Sequence, residues 1–166
     1  MNNIYKNREK DWRNGALVYQ VLVDRFHPAK DLDSKKHLYK FPKKLNSWTT
    51  LPTPGTFLEE QKYWSHELDY WGGDLESLTN HLDYIVSLGM DVLYLNPIVE
   101  SLSNHKYDAS DFLEISKEYG SKEDLEKLIK KVHDNQMKIM LDGVFNHVGV
   151  SNPLFQKALK NESYRD

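Results

Sequence analysis

The sequence contains no cysteine, and nowhere does it contain a long uncharged run of apolar residues. Without cysteine, the chain has no disulfide scaffold, no thiolate metal site and no thiol nucleophile. A membrane-spanning helix needs about 20 mainly apolar residues, and the N-terminus lacks the apolar stretch of a secretion signal. These absences predict a cytoplasmic protein with no membrane partner. A secreted protein whose leader has been removed is the alternative.

An excess of charge of either sign is also missing. The net charge is −3, and acidic and basic residues are interspersed, so the sequence offers no surface for a nucleic-acid partner. The chain is 39% hydrophobic and 28% charged, which is typical of a globular protein. Its 166 residues fit one domain with a core of ordinary size.

Hydrophobic spacing predicts alternating strands and helices. Asp74 is a suitable N-cap and Gly89 a suitable stop for one helix, and Ser121-x-x-Asp124 forms the capping box of another. The predicted strands are residues 17–23, 91–96 and 137–142, and the predicted helices are residues 74–88, 121–133 and 153–160. This order predicts an α/β fold with a parallel sheet and right-handed crossovers. Apolar strands without alternation also indicate burial on both faces of the sheet.

Polar residues follow two of these strands. Asp142, Asn146 and His147 come after the third strand, and a loop with His105 and Tyr107 comes after the second. Ligands of parallel α/β sheets and barrels lie at the carboxyl ends of the strands. We therefore expect a binding cleft at this edge of the sheet.

The connection from Asp24 to Gly73 is far longer than the roughly 12–15 residues at which a structureless loop becomes unusual. It contains Trp48, Trp64 and Trp71 together with several tyrosines. These aromatic side chains either form a small core of their own or present flat faces to a ligand. For most of them the core is the preferred interpretation.

Five motifs in order resemble the N-terminal portion of the catalytic domain of the α-amylase superfamily of glycoside hydrolases, with the neopullulanase and cyclomaltodextrinase group most similar. The resemblance covers about residues 15 to 166. The motifs are VYQVLVDRF (18–26), WGGDL (71–75), LYLNPI (93–98), HKYDASDF (105–112) and LDGVFNHVG (141–149).

The resemblance implies a (β/α)8 barrel with a small domain inserted after its third strand. A complete barrel needs about 250 residues. This chain is then a partial TIM barrel containing the first three βα units. Residues 1–14 would be an N-terminal extension, residues 15–150 part of the barrel, and residues 151–166 the start of the inserted domain.

The resemblance also assigns the site residues. Tyr107 would offer a flat ring face to a pyranose and His105 a hydrogen bond to its hydroxyls, although alone both would be ordinary loop residues. His147 would donate to the substrate, and Asp142 would orient this network as a buried acceptor. Asp108 would be either a ligand contact or an acceptor for loop amides.

Calcium is the cofactor that the resemblance suggests. Asn146 matches a calcium ligand of the family, and in an extended segment its side chain would point away from that of the adjacent His147. Calcium takes about six to eight oxygen ligands, and Asn146 alone would only hold the loop. Asp74 matches a second calcium position, but a role as helix cap is the preferred interpretation.

The catalytic carboxyls of the family lie on later strands, and their motifs do not occur in this sequence. Retaining glycosidases need two carboxyls about 5–5.5 Å apart. The first hypothesis is therefore a fragment of a retaining glycosidase that acts on α-1,4 or α-1,6 bonds of malto-oligosaccharides, cyclodextrins or starch-like glucans, inactive by itself. The second is a non-catalytic half-barrel that binds sugar or a partner protein. In either case a homo-oligomer would cover the open sheet.

Overall fold

The computed structural model describes residues 2–160, with side chains from residue 5 onward. Met1 and residues 161–166, which belong to the predicted N-terminal extension and inserted domain, lie outside the described residues. The strands are β1 (Val18–Val21), β2 (Lys44–Leu45), β3 (Phe57–Leu58), β4 (Tyr63–Trp64), β5 (Asp69–Tyr70), β6 (Val92–Leu95), β7 (Val99–Glu100), β8 (Asp111–Ile115) and β9 (Lys138–Leu141). The helices are α1 (Asn2–Glu9), α2 (Leu32–Lys35), α3 (Leu75–Asn80), α4 (Leu82–Ser87), α5 (Lys122–Asp134) and α6 (Pro153–Lys160), and 3-10 turns lie at Val23–Arg25, Lys36–Leu38 and Ser65–Glu67.

The central sheet consists of β1, β6 and β9 in that order, and all its strands are parallel. Val18 pairs with Val92, which pairs with Lys138. The predicted parallel order and the α/β fold class are confirmed. Each strand is shorter than predicted, by one residue at its start and by one or two residues at its end.

The helices begin where the capping residues indicated. Asp74 accepts a hydrogen bond of 2.7 Å from the amide of Ser77, and Ser121 accepts one of 3.3 Å from the amide of Asp124. The prediction of one continuous helix over residues 74–88 is wrong. At His81 the backbone (φ −109°, ψ 14°) leaves helical geometry, which ends α3 and starts α4.

The main hydrophobic cluster lies on one face of the sheet. Val21, Leu93 and Leu95 pack beneath the helices, and burying their apolar surface is the main stabilising contribution. The helix residues of this core are Leu75, Leu78, Leu82, Ile85, Leu128 and Val132. On the opposite face, Val18 is 50% exposed and Met140 45% exposed. The expectation of burial on both faces is therefore wrong for β1 and β9, because no helix of the described residues covers that side.

The long connection between β1 and α3 folds into short pairings. Strands β2 and β5 are parallel, and β3 and β4 form an antiparallel hairpin. Tyr39, Tyr70 and Trp71 are buried, as the interpretation of a small separate core requires. Trp48 and Trp64 remain exposed. The core interpretation therefore holds for Tyr39, Tyr70 and Trp71, and a ligand contact at Trp48 or Trp64 stays a prediction.

None of the helices within residues 2–160 is long and apolar enough to cross a membrane.

Candidate functional site

The loop between β7 and β8 meets the segment after β9 at the carboxyl edge of the central sheet. The Tyr107 hydroxyl donates to Oδ2 of Asp142 at 2.6 Å. His147 Nε2 lies 2.8 Å from the carbonyl oxygen of Tyr107, so this nitrogen carries the proton and donates. Because parallel strands end together, residues far apart in sequence converge on this edge. The structure therefore brings Tyr107, Asp142 and His147 into one cluster.

His105 lies beside Tyr107, and its orientation is fixed at both ring nitrogens. The Tyr107 amide donates to Nδ1 at 3.1 Å, and Nε2 lies 3.3 Å from Oε1 of Glu67. Nδ1 is thus the acceptor, and Nε2 carries the proton that faces the carboxylate. The His105 and Tyr107 ring centroids are 5.8 Å apart with the planes tilted by 33°. The two rings form adjacent, half-exposed surfaces.

Tyr94, which was not among the predicted site residues, belongs to the same cluster. Its hydroxyl also donates to Oδ2 of Asp142, at 2.6 Å. The hydrogen bond to Asp142 raises the pKa of both Tyr94 and Tyr107 above the usual tyrosine value, and burial adds to the effect. Both hydroxyls are therefore protonated donors at neutral pH. A signal was available, because Tyr94 is the polar member of β6 on the face opposite Leu93 and Leu95.

Asp108 is an acceptor within the protein. Its carboxylate accepts from the Tyr63 hydroxyl at 2.7 Å, from the Ser103 amide at 3.3 Å and from the Ser103 hydroxyl. Burial alone would raise the pKa of Asp108, but the hydrogen bonds from Ser103 and Tyr63 outweigh burial and lower it. Of the two predicted roles, this geometry is that of the structural acceptor. Through Tyr63, Asp108 attaches the β3–β4 hairpin to the loop with His105 and Tyr107.

Asn146 and His147 lie in the irregular segment after β9 and are both exposed. The Asn146 amide nitrogen is 3.3 Å from Nδ1 of His147, so the two side chains touch. The expectation that they point in opposite directions is wrong. It required an extended backbone, and the strand has already ended at Leu141.

Asp74 is not available as a calcium ligand. The carboxylate of Asp74 is occupied by the amide of Ser77 and by Nζ of Lys35 at 2.8 Å. Within residues 5–160, no three His, Asp or Glu side chains are grouped so that they could hold a metal. Asn146 offers one amide oxygen, whereas calcium takes about six to eight oxygen ligands. Asp74 is therefore a helix cap, and calcium at Asn146 stays a prediction.

The cluster suits binding of a sugar. Tyr107 provides an apolar ring face, and the exposed His147 imidazole provides a polar edge, the pair of surfaces that a pyranose and its hydroxyls need. The carboxylates of Asp108 and Asp142 are both occupied by tyrosine hydroxyls. Both carboxylates thus hold tyrosine side chains in place. The geometry thus favours recognition of a ligand over bond cleavage by these residues.

Comparison with known proteins gives a consistent result. The family described as "Alpha amylase, catalytic domain" matches residues 20–166. The chain is 39% identical to an amylopullulanase of Thermoanaerobacterium saccharolyticum over 161 residues, which is 89% of this chain and 12% of that protein. It is 38% identical over 152 residues to a cyclomaltodextrinase of Geobacillus thermopakistaniensis, covering 91% of this chain and 22% of that protein. The chain thus spans less than a quarter of the length of these relatives.

Solved structures show the same similarity. The cyclic alpha-maltosyl-(1→6)-maltose hydrolase of Arthrobacter globiformis, in complex with maltose, superposes with a TM-score of 0.73 at 33% identity, over 92% of this chain and 30% of that one. The type III pullulan hydrolase of Thermococcus kodakarensis gives a TM-score of 0.77 at 28% identity, over 92% of this chain and 27% of that one. The α/β fold and its interpretation as part of a (β/α)8 barrel agree with these similarities.

Proposed function

We propose, from the premise that this chain belongs to the alpha-amylase catalytic-domain family, that it forms the first part of the glucan-binding site of a retaining glycoside hydrolase. The substrate class is an α-linked glucan, such as a malto-oligosaccharide, a cyclodextrin or pullulan. The names of relatives and structural neighbours, which include cyclomaltodextrinase and pullulan hydrolase, support this class. Hydrolysis or transfer at α-1,4 or α-1,6 bonds is the reaction of the whole protein that we propose.

The observation that carries the proposal is the convergence of Tyr107, Asp142 and His147 at the carboxyl edge of the sheet. The Tyr107 hydroxyl is bonded to Asp142, and the backbone carbonyl of Tyr107 accepts a hydrogen bond from His147. A ring fixed in this way loses little conformational freedom when a sugar stacks on it, so less of the contact energy is spent on ordering. His105 extends the same surface by one ring.

The residues of this chain bind and orient the sugar, and we do not assign them the bond-breaking step. Retaining cleavage requires two carboxyls about 5–5.5 Å apart that are free to act as nucleophile and acid. Asp108 and Asp142 serve instead as acceptors for tyrosine hydroxyls. We therefore expect the 166-residue chain to bind an α-glucan without cleaving it.

Titration of the labelled chain with maltotriose, followed by NMR, tests this proposal. The shifts of Tyr107 and His147 should change saturably with maltotriose and remain unchanged with cellotriose, whose linkages are β. Tyr107→Ala should abolish the response. Tyr5→Ala, which removes an exposed tyrosine on α1, should leave it intact.

Two results would contradict the proposal. One is equal binding of maltotriose by the Tyr107→Ala and Tyr5→Ala chains. The other is release of reducing sugar from maltotriose by the purified chain, provided that His147→Ala abolishes it and so excludes a contaminating enzyme.

A further inference from the structure

Lys106 lies between the two ring residues of the proposed sugar site, yet its side chain is completely buried. Lysine is almost never fully buried unless its charge is paired. Its backbone also has φ +64°, the left-handed conformation that side chains other than glycine rarely adopt. A buried cation in an unusual backbone conformation, flanked by His105 and Tyr107, requires a specific explanation.

The ammonium group of Lys106 is held from several directions. Nζ lies 3.3 Å from the Tyr70 hydroxyl, 3.3 Å from the Ser101 carbonyl oxygen and 3.5 Å from Oε2 of Glu118. It also lies 5.2 Å from the Tyr70 ring centroid and 5.0 Å from that of Tyr119, within the range of a cation–π contact. These contacts fix the side chain in the small aromatic core beneath the loop.

Glu118 is the counter-charge, and it is shared. Its other oxygen, Oε1, binds Nζ of Lys43 from the long connection, and Ser116 donates to Oε2. Burial lowers the pKa of Lys106, while the carboxylate of Glu118 partly offsets this effect. The carboxylate therefore has two cationic partners, of which only Lys106 belongs to the loop of the proposed sugar site.

Lys106 points inward, whereas its neighbours His105 and Tyr107 are partly exposed. The Lys106 amide donates to the Ser103 hydroxyl at 3.1 Å, and the Tyr107 amide donates to Nδ1 of His105 at 3.1 Å. The backbone thus turns tightly around Lys106. Its side chain enters the core, and the rings of His105 and Tyr107 are left at the half-exposed surface.

We infer that Lys106, anchored on Glu118, is a positioning residue that sets the separation and tilt of the His105 and Tyr107 rings before the ligand arrives. This inference rests on the proposed function, since it names what prepares that same site. Removing one partner of a buried ion pair usually lowers folding stability as well. The geometric role of Lys106 is therefore tested through ligand affinity in the folded chain, and stability is measured separately.

The test compares Lys106→Met with Lys43→Met in the full chain. Methionine keeps a long unbranched side chain without the charge, and each variant leaves Glu118 paired with one remaining lysine. Maltotriose affinity is measured by NMR at a temperature where both variants are fully folded, and thermal unfolding is recorded separately. We expect Lys106→Met to bind about tenfold more weakly and Lys43→Met to stay within about twofold of the unsubstituted chain.

Each outcome decides the question. Loss of affinity in Lys106→Met alone supports the inference. Unchanged affinity in both variants, or equal loss in both, overturns it and leaves the proposed function standing. No binding by the unsubstituted chain overturns the proposed function itself.

If Lys106→Met does not fold, the unsubstituted chain provides the answer. The coupling between the amide and α protons of Lys106 reports its φ and is measured with and without maltotriose. An unchanged left-handed value shows that the loop is set in advance. A change of φ on binding overturns the inference.

Discussion

The carboxylate of Glu118 should make the stability of the fold depend on acid pH. Burial would raise the pKa of Glu118, but the charges of Lys106 and Lys43 outweigh burial and lower it from 4.5 to about 2. Because the pKa is depressed in the folded state, the stabilisation is fully present above pH 4.5 and is lost as the pH falls through about 2. At about 1.4 kcal/mol for each pH unit, a depression of this size corresponds to on the order of 3 kcal/mol of unfolding free energy.

Urea unfolding at a series of pH values measures this contribution. Glu118→Gln should lower the unfolding free energy at pH 7 by on the order of 3 kcal/mol. The difference from the unsubstituted chain should narrow as the pH falls from 4.5 towards about 2, because in this range the carboxylate binds a proton in the unfolded state but not yet in the folded state. Glu114→Gln, at an exposed position on β8, is the matched control and should leave the pH dependence unchanged.

A difference between Glu118→Gln and the unsubstituted chain that stays constant from pH 7 to pH 2.5 would refute this reasoning. It would mean that the substitution acts through packing or a lost hydrogen bond, since neither of these titrates.

Three further predictions concern the proposed site and the helix beside it. Tyr107→Phe and Tyr94→Phe should each lower the unfolding free energy by about 1–2 kcal/mol, because each loses a bond to the same carboxylate oxygen. Strictly additive losses in the double variant would show that the two hydroxyls do not share an acceptor. His147→Ala should weaken maltotriose binding, because it removes the hydrogen bond between the segment after β9 and the loop with Tyr107. The control His133→Ala, at an exposed position on α5, should leave binding unchanged. Equal affinities of the two variants in NMR titrations would contradict this prediction. Ser121→Ala should lower the free energy of unfolding by about 1 kcal/mol, the usual contribution of an N-cap residue. An unchanged midpoint of urea unfolding would disprove the role of Ser121 as N-cap.

The strands and most helix boundaries followed from local patterns. Apolar runs indicated β1, β6 and β9, and Ser121 marked the start of α5. The break between α3 and α4 could not be predicted, because Leu78, Leu82 and Ile85 continue the helical spacing across His81. Hydrophobic spacing reports which side chains face the core and is insensitive to one turn of altered backbone.

The candidate site was predicted in part. The strand ends and the resemblance identified His105, Tyr107 and His147, which the structure brings together. Lys106 was passed over, because a lysine in a polar loop is normally solvent-exposed. Its burial depends on Glu118, whose own pairing with a second lysine involves a distant part of the chain, and no local pattern contains that information.

The position of Glu118 has a consequence for how the protein folds. It joins Lys43, which is 75 residues away in sequence, to Lys106, which is 12 residues away. The entropic cost of closing a loop rises slowly with its length, by about 0.6 kcal/mol for each doubling. Contacts between residues far apart in sequence nevertheless slow folding. The loop with His105 and Tyr107 itself also makes long-range contacts, from Lys106 to Tyr70, 36 residues away, and from Tyr107 to Asp142, 35 residues away. It therefore acquires its final shape only after distant parts of the chain have met. During refolding, the ability to bind maltotriose should appear with the last long-range contacts, so that ligand binding reports completion of the native topology.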